Sequence, residues 1–239
     1  MSFSEEQVAF RDNVRRMVAK HVAPIAAEID ETDRFPLELV KLFGEMGLMQ
    51  LWVPERYDGP NGNLTMACIA REEISKVSPA CASIAALNTM FIMPLLHFGS
   101  EEQRRKYLPI IAKGGVVTAI AISEPGAGGD PAGMKTRAVL EGEEWVLNGR
   151  KIWISNARAA DFIIVMARVG SDQRQGGITS FIVEKGTPGF IIEREIPMVG
   201  GGSTYEIVFE DCRIPKASVL GEVGKGYAPM QLRLRTRRL

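Results

Sequence analysis

Val116-Val-Thr-Ala-Ile-Ala-Ile-Ser123-Glu-Pro-Gly-Ala-Gly-Gly-Asp130 divides the chain into two kinds of sequence. Its first eight residues are β-branched or small and follow Gly115, which predicts a short buried strand over 116–123. The stretch Ser123–Asp130 is built of side chains small enough for a ligand to approach the backbone, whose N–H groups can hold anions or carbonyls. The same composition also fits a Gly-rich turn that binds nothing. A dinucleotide fingerprint is excluded, because GxGxxG must open a helix and here Pro131, Gly133 and a further β pattern follow.

Upstream the sequence reads as helices. Only four of the 24 glycines (Gly44, Gly47, Gly59, Gly62) precede Gly99, and helices exclude glycine where strands and turns use it. Ser4-Glu-Glu-Gln7 is a capping-box pattern, and Val8, Val14, Met17, Val18, Val22 and Ile25 follow at helical spacing. Pro36 suits a first helical position, with Val40, Phe43 and Met46 on one face until Gly47. Residues 64–77 predict a third helix with Met66, Ile69, Ala70 and Ile74 inward. Residues 79–97 are apolar on most sides and predict a central helix. Ser100-Glu-Glu-Gln103 is a second capping box, opening a helix through Lys106-Tyr-Leu108.

Downstream the period is that of strands. Residues 136–141 and 144–147 flank Glu141-Gly-Glu143, a hairpin signal, and 150–155 follows Asn148-Gly149, a second one. Phe162–Arg168, Ile178–Val183, Phe190–Glu195 and Tyr205–Phe209 complete a set of short strands, predicting a small antiparallel barrel or sandwich. Beyond Gly226 the pattern is helical again and reaches Leu239 in an Arg-rich, uncapped segment. The expected fold class is therefore α+β and multidomain. An N-terminal all-α bundle domain is expected over 1–117 and a β domain over 118–225. The start of a C-terminal helical domain is expected over 226–239.

Composition narrows the function. The 239 residues carry 29 Lys+Arg against 29 Asp+Glu. This neutrality argues against a nucleic-acid binder or a polybasic membrane binder, both of which need a standing positive field. Cys68, Cys81 and Cys212 are too scattered for a disulfide framework, and with His21 and His97 they match no zinc spacing. No Asp, Glu, Lys or Arg lies between Lys76 and Glu101, but Pro79, Ser83, Asn88, Thr89 and Pro94 leave only short apolar pieces, so no membrane insertion is expected. The acidic N-terminus is unlike a signal or transit peptide, and a reducing setting is the expectation, the cytoplasm in a bacterium or the mitochondrial matrix in a eukaryote.

Two further features can carry chemistry. Trp153 in Lys151-Ile-Trp-Ile-Ser155 reads as a core aromatic, or as a platform for a flat ligand with the Ser155 hydroxyl beside it on the same face. Arg233, Arg235, Arg237 and Arg238 read as a solvated helix face, or as guanidinium forks for phosphate or carboxylate.

A helical segment followed by Ala121-Ile-Ser-Glu-Pro-Gly-Ala-Gly-Gly-Asp130, Asn148-Gly-Arg-Lys-Ile-Trp-Ile-Ser-Asn156 and Val208-Phe-Glu-Asp-Cys-Arg-Ile-Pro215 resembles the acyl-CoA dehydrogenase family, from about residue 4 to Leu239. The resemblance implies a helical domain, a β domain and the opening of a four-helix domain. It also implies FAD as cofactor and α,β-desaturation of an acyl-CoA thioester, with a glutamate taking the α-proton and the β-hydride passing to flavin N5. Carbonyl hydrogen bonds acidify the α-carbon.

Carried over by position, Ile120, Ala121, Ile122, Ser123, Gly128 and Gly129 run along the flavin, with Ser123 bonding its edge. Trp153 packs on the flavin, completed by Ile154 and Ser155. Gly129 and Arg238 serve the substrate, Arg238 near the CoA arm. Ala85–Leu95, with Met90, Phe91 and Met93, is expected to line the acyl pocket. Three positions depart from the family pattern. Gly129 replaces a Ser or Thr, Arg235 replaces an Asp, and Arg237 stands where some members carry the catalytic glutamate. No residue present is assigned as base, so the chain alone is expected to be a fragment without activity. An electron-transfer flavoprotein or similar acceptor is the implied partner, and a homodimer or homotetramer the implied assembly. The alternatives are a non-catalytic acyl-CoA-binding or protein-interaction module, and a flavin oxidase on the same scaffold.

Overall fold

The computed structural model describes residues 3–170, 177–198 and 203–237. They form two units. One is Met1–Ile92 with Arg105–Val116 and Pro197–Ser203, the other Met93–Arg104 with Val117–Ile196 and Thr204–Leu239.

Helices dominate the first. At the start of α1 (Glu5–Met17) the Ser4 hydroxyl accepts from the Gln7 amide at 3.2 Å, and the Gln7 side chain accepts from the Ser4 amide at 3.1 Å. The chain then widens into a π turn over Val18–Val22, tightens through Ala23–Ile25 and resumes as α2 (Ala26–Thr32). Pro36 is the cap of α3 (Leu37–Glu45) rather than its first residue. Asn63 caps α4 (Leu64–Ser75), which buries Ile69, Ala70 and Ile74 as its spacing predicts and leaves Met66 half-buried.

The uncharged stretch is not one helix. It is α5 (Pro79–Ala85) and α6 (Thr89–Phe98), parted at Ala86–Asn88. The break is tied to Asn88, which is buried and donates its side-chain amide to the Val116 carbonyl at 2.9 Å. A buried polar group needs such a partner. Among the described residues, Pro79–Phe98 is long and apolar enough to cross a membrane, with 61% of that window buried in the protein. The first unit's core holds Val14, Phe43, Ile74, Phe91, Leu108 and Ile111 without solvent exposure, the last two from α7 (Glu101–Ala112).

The second unit is built on one eight-stranded sheet. Its strands are β1 (Thr118–Ala121), β2 (Arg137–Glu141), β3 (Glu144–Ser155), β4 (Phe162–Val169), β5 (Ile178–Glu184), β6 (Phe190–Pro197), β7 (Ser203–Pro215) and β8 (Val219–Leu220). They run in the order β6-β7-β3-β2-β4-β5-β8, with β1 on β4. The pairings β2–β3, β3–β7, β4–β5 and β5–β8 are antiparallel, while β1 and β2 each pair with β4 in parallel. Both lie along the β4 edge away from β5. Thr118–Ala121 stands opposite Phe162–Val165, and Arg137–Ala138 opposite Arg168–Val169. Residues 122–136 therefore leave that edge and return to it.

Asn148-Gly149 is no hairpin turn. β3 runs through it, and the dipeptide sits in a register shift against β7. Asn148 exchanges hydrogen bonds with Asp211, donating to its carboxylate at 3.0 Å and accepting from its amide at 2.9 Å. Gly149 has φ 149°, and a Cβ there would stand 2.6 Å from the Thr136 Cα. Glycine is required by the close approach of strands, a role that mimics a turn signal. After β8 the chain enters α8 (Tyr227–Arg237).

Candidate functional site

The excursion over 122–136 begins with a tight turn. The Glu124 amide donates to the Ala127 carbonyl at 2.9 Å and the Ala127 amide to the Glu124 carbonyl at 3.1 Å. Pro125 suits the second position of such a turn. Beyond it Gly128 and Gly129 are exposed, and a Cβ at either would meet nothing within 4 Å. Neither has a left-handed φ. Their small size bares backbone rather than relieving strain, and their amides have no acceptor among the described residues.

β3 passes beside this loop, the Ile152 amide donating to the Ser123 carbonyl at 2.9 Å. One residue on, β3 bulges. Its register with β7 shifts between Lys151 and Ile154, and Trp153 takes φ 63°. A positive φ at a bulky residue is a rare and strained state that needs support from its surroundings. Trp153 is thereby lifted out of the core and is 57% exposed, flanked by buried Ile152 and Ile154. Ser155 is exposed as well, and the hydroxyls of Ser123 and Ser155 bond no described residue.

Beneath this face lies a buried ion pair. Lys151 is fully enclosed, and its Nζ donates to Glu124 Oε1 at 2.8 Å and to the Ile122 carbonyl at 2.9 Å. The Glu124 carboxylate also accepts from the amides of Lys135 at 2.5 Å and Thr136 at 2.9 Å. Burial pushes the Lys151 ammonium down to about 8 against the pull of Glu124. Burial pushes Glu124 up, but the Lys151 charge and the N–H donors outweigh it and hold the carboxyl below its usual range.

Of the residues predicted for the site, Gly128, Gly129, Trp153 and Ser155 are exposed, Ser123 is half-buried with its carbonyl tied to Ile152, and Ile122 is half-buried against Ala127, Met134, Met166, Ile178 and Met230. Ile120 is half-buried, while Ala121 and Ile154 are fully enclosed and offer no side chain to solvent. The core reading of Trp153 fails because the bulge breaks the alternation on which it rests. Phe91 is without exposure, packed edge-on to Tyr107 with ring centroids 5.9 Å apart; Met90 is buried and Met93 half-buried. Arg233, Arg235 and Arg237 fall in α8, and Arg238 lies outside the described residues. Lys151 and Glu124 are absent from the set predicted by sequence. Their signal is a lysine among the apolar residues of 151–155 and a glutamate at a strand end, neither of which betrays burial without the partner.

An exposed indole, two hydroxyls that bond no described residue and a glycine backbone whose amides have no acceptor among the described residues are groups of the kind that hold a flat conjugated ring.

Comparison with known proteins bears on that reading. Family models described as "Acyl-CoA dehydrogenase, N-terminal domain" and "Acyl-CoA dehydrogenase, middle domain" match residues 4–115 and 119–212. An acyl-CoA dehydrogenase of Bacillus subtilis is 39% identical over 230 residues, covering 95% of this chain and 61% of that protein. The solved butyryl-CoA dehydrogenase of Megasphaera elsdenii superposes with a TM-score of 0.93 at 31% identity, over 100% of this chain and 64% of that one. An acyl-CoA dehydrogenase of Bacillus anthracis solved with FAD superposes with a TM-score of 0.87 at 32% identity, over 99% of this chain and 42% of that one. The chain thus spans about 61% of the length of the curated relative. With two family models covering most of its residues and a fold shared throughout, the chain belongs to the acyl-CoA dehydrogenase family.

Proposed function

We propose that this chain forms the N-terminal and flavin-facing part of an FAD-dependent acyl-CoA dehydrogenase, acting in α,β-desaturation of an acyl-CoA thioester. The observation that carries this reading is Trp153, held in a left-handed conformation and raised to solvent next to Ile152, whose amide holds the carbonyl of Ser123 at the start of the glycine loop. A fold does not dictate a cofactor; a site does. The FAD-bound relative from Bacillus anthracis and the butyryl-CoA dehydrogenase support the same assignment.

FAD, when bound, supplies a two-electron acceptor for the hydrogen leaving the β-carbon. Trp153 would hold the flavin ring and shield it from water. Ser123 and Ser155 offer hydroxyls to the ring edge, and the free amides of Gly128 and Gly129 offer further donors. Gly129 and Arg238 are the residues assigned to acyl-CoA binding. The side chains of Ala121 and Ile154 contribute from beneath, as packing. Electrons pass on to an electron-transfer flavoprotein or similar acceptor, and the assembled enzyme is a homodimer or homotetramer.

No residue of the sequence is assigned as the base. A missing general base costs about 10²–10⁴-fold, so the 239-residue chain by itself does not dehydrogenate acyl-CoA at an enzymatic rate. The test is titration of the purified chain with FAD, read by quenching of flavin fluorescence. Trp153→Ala is expected to raise the Kd at least tenfold, and butyryl-CoA with a dye acceptor is expected to give no turnover. Equal binding by Trp153→Ala, or no binding by the unaltered chain, would overturn the cofactor reading. Turnover would overturn the assignment of the base.

A further inference from the structure

The loop over 122–136 leaves one edge of β4 after Ala121 and rejoins it at Arg137. Such an excursion strands backbone groups at its neck, away from any sheet partner, and buried backbone groups must be satisfied. Here the stranded groups are a carbonyl at Ile122 and two amides at Lys135 and Thr136. A hydrophobic pair can serve neither kind. Lys151 supplies a donor to the carbonyl, Glu124 supplies acceptors to the amides, and the two neutralise each other across 2.8 Å.

Buried ion pairs are expensive. Replacing one with apolar residues is often neutral or stabilising, so its worth lies elsewhere than in net stability. The position of this one suggests where. Lys151 directly precedes the bulge that lifts Trp153, and Glu124 directly follows Ser123. The Ile152 amide holds the Ser123 carbonyl between them. Ser123 is thus fixed on both flanks and through its own backbone to the strand that carries Trp153.

We propose that the Lys151–Glu124 pair is a positioning device, a clasp at the neck of the loop that sets the Ser123 edge against the Trp153 face for the flavin ring. This rests on the cofactor reading above. The pair touches no ligand itself and acts through the Ile122 carbonyl and the loop backbone.

The experiment separates positioning from stability. Lys151→Met alone leaves a buried unpaired carboxylate, so it is made together with Glu124→Gln, which removes both charges. Glu124→Asp keeps the charge but withdraws it by one methylene. Glu73→Gln is the control. Glu73 is a buried carboxylate of the first unit, bonded to Arg15 at 2.9 and 3.0 Å and to Lys76 at 2.9 Å, and placed in no part of the site. Each variant is read for Tm and, separately, for FAD Kd and the visible spectrum of bound flavin.

The double variant and Glu124→Asp are expected to stay folded, to raise the Kd at least tenfold and to alter the flavin spectrum. Glu73→Gln is expected to lower Tm with the Kd unchanged. If both clasp variants bind FAD as the unaltered chain does, the clasp is refuted. If neither folds, the pair belongs to folding of the sheet and positioning is likewise refuted. Absence of FAD binding by the unaltered chain would sink the cofactor reading instead, a result distinguishable from both.

Discussion

Gly149 and Gly129 respond differently to a side chain. At Gly149 an added Cβ stands 2.5 Å from Thr136 Oγ1 and 2.6 Å from its Cα, with φ at 149°. Strain and overpacking of this kind cost about 3 kcal/mol together. At Gly129 the space is open and φ is ordinary. Gly149→Ala is therefore expected to lose about 3 kcal/mol in urea unfolding, and Gly129→Ser less than about 0.5 kcal/mol. Equal losses would refute the distinction. The same scale shows where reading residues in order stops. Trp153 stands out in the sequence, but its exposure does not, since alternation assumes an even pleat and the bulge between Lys151 and Ile154 resets the count.

Capping boxes illustrate what an element reveals locally and what it conceals. Both are legible because every atom involved lies within three residues of the cap. They are not equivalent. Gln7 bonds only its own helix start, whereas the Gln103 Nε2 also donates to the carbonyls of Ala217 and Val219 at 2.8 Å each. That second attachment spans more than a hundred residues and leaves no local trace. Gln103→Ala is expected to cost about 2 kcal/mol by thermal or urea unfolding, and Gln7→Ala about 0.5 kcal/mol, because an exposed cap can be replaced by water. Similar values for the two would contradict this. Long separation also explains Asn148-Gly149, whose partner Asp211 lies 63 residues away, and the parallel pairing of β1 and β2 on β4. Strand positions follow from composition. Their order does not.

At the scale of the whole molecule, stability against acid rests on buried carboxylates in both units. Glu73 in the first unit is bonded by Arg15 at 2.9 and 3.0 Å and by Lys76 at 2.9 Å. Glu124 and Glu206 serve the second. Hydrogen bonds from Arg15 hold Glu73 below the usual carboxylate range, and those from Arg150 and Arg194 do the same for Glu206. With a folded pKa below the unfolded value, the unfolded chain binds more protons as pH falls, so stability declines with acid. The contribution is complete above the ordinary value of 4.5 and is lost as pH falls through the depressed folded values. Lys151 has the same slope in a more alkaline window. Its ammonium is depressed from 10.5 to about 8, so between those values the unfolded chain holds the extra proton and this group's contribution rises with pH. Urea unfolding is therefore expected to weaken steeply from pH 5 to pH 3, and the loss should be shallower in Glu73→Gln and in Glu124→Gln. The two carboxylates share no partner, so their effects should add within about 0.5 kcal/mol in the double variant. An unfolding free energy that is the same at pH 3 and pH 7 would remove the carboxylates from this role, and strong non-additivity would mean that Glu73 and Glu124 are coupled.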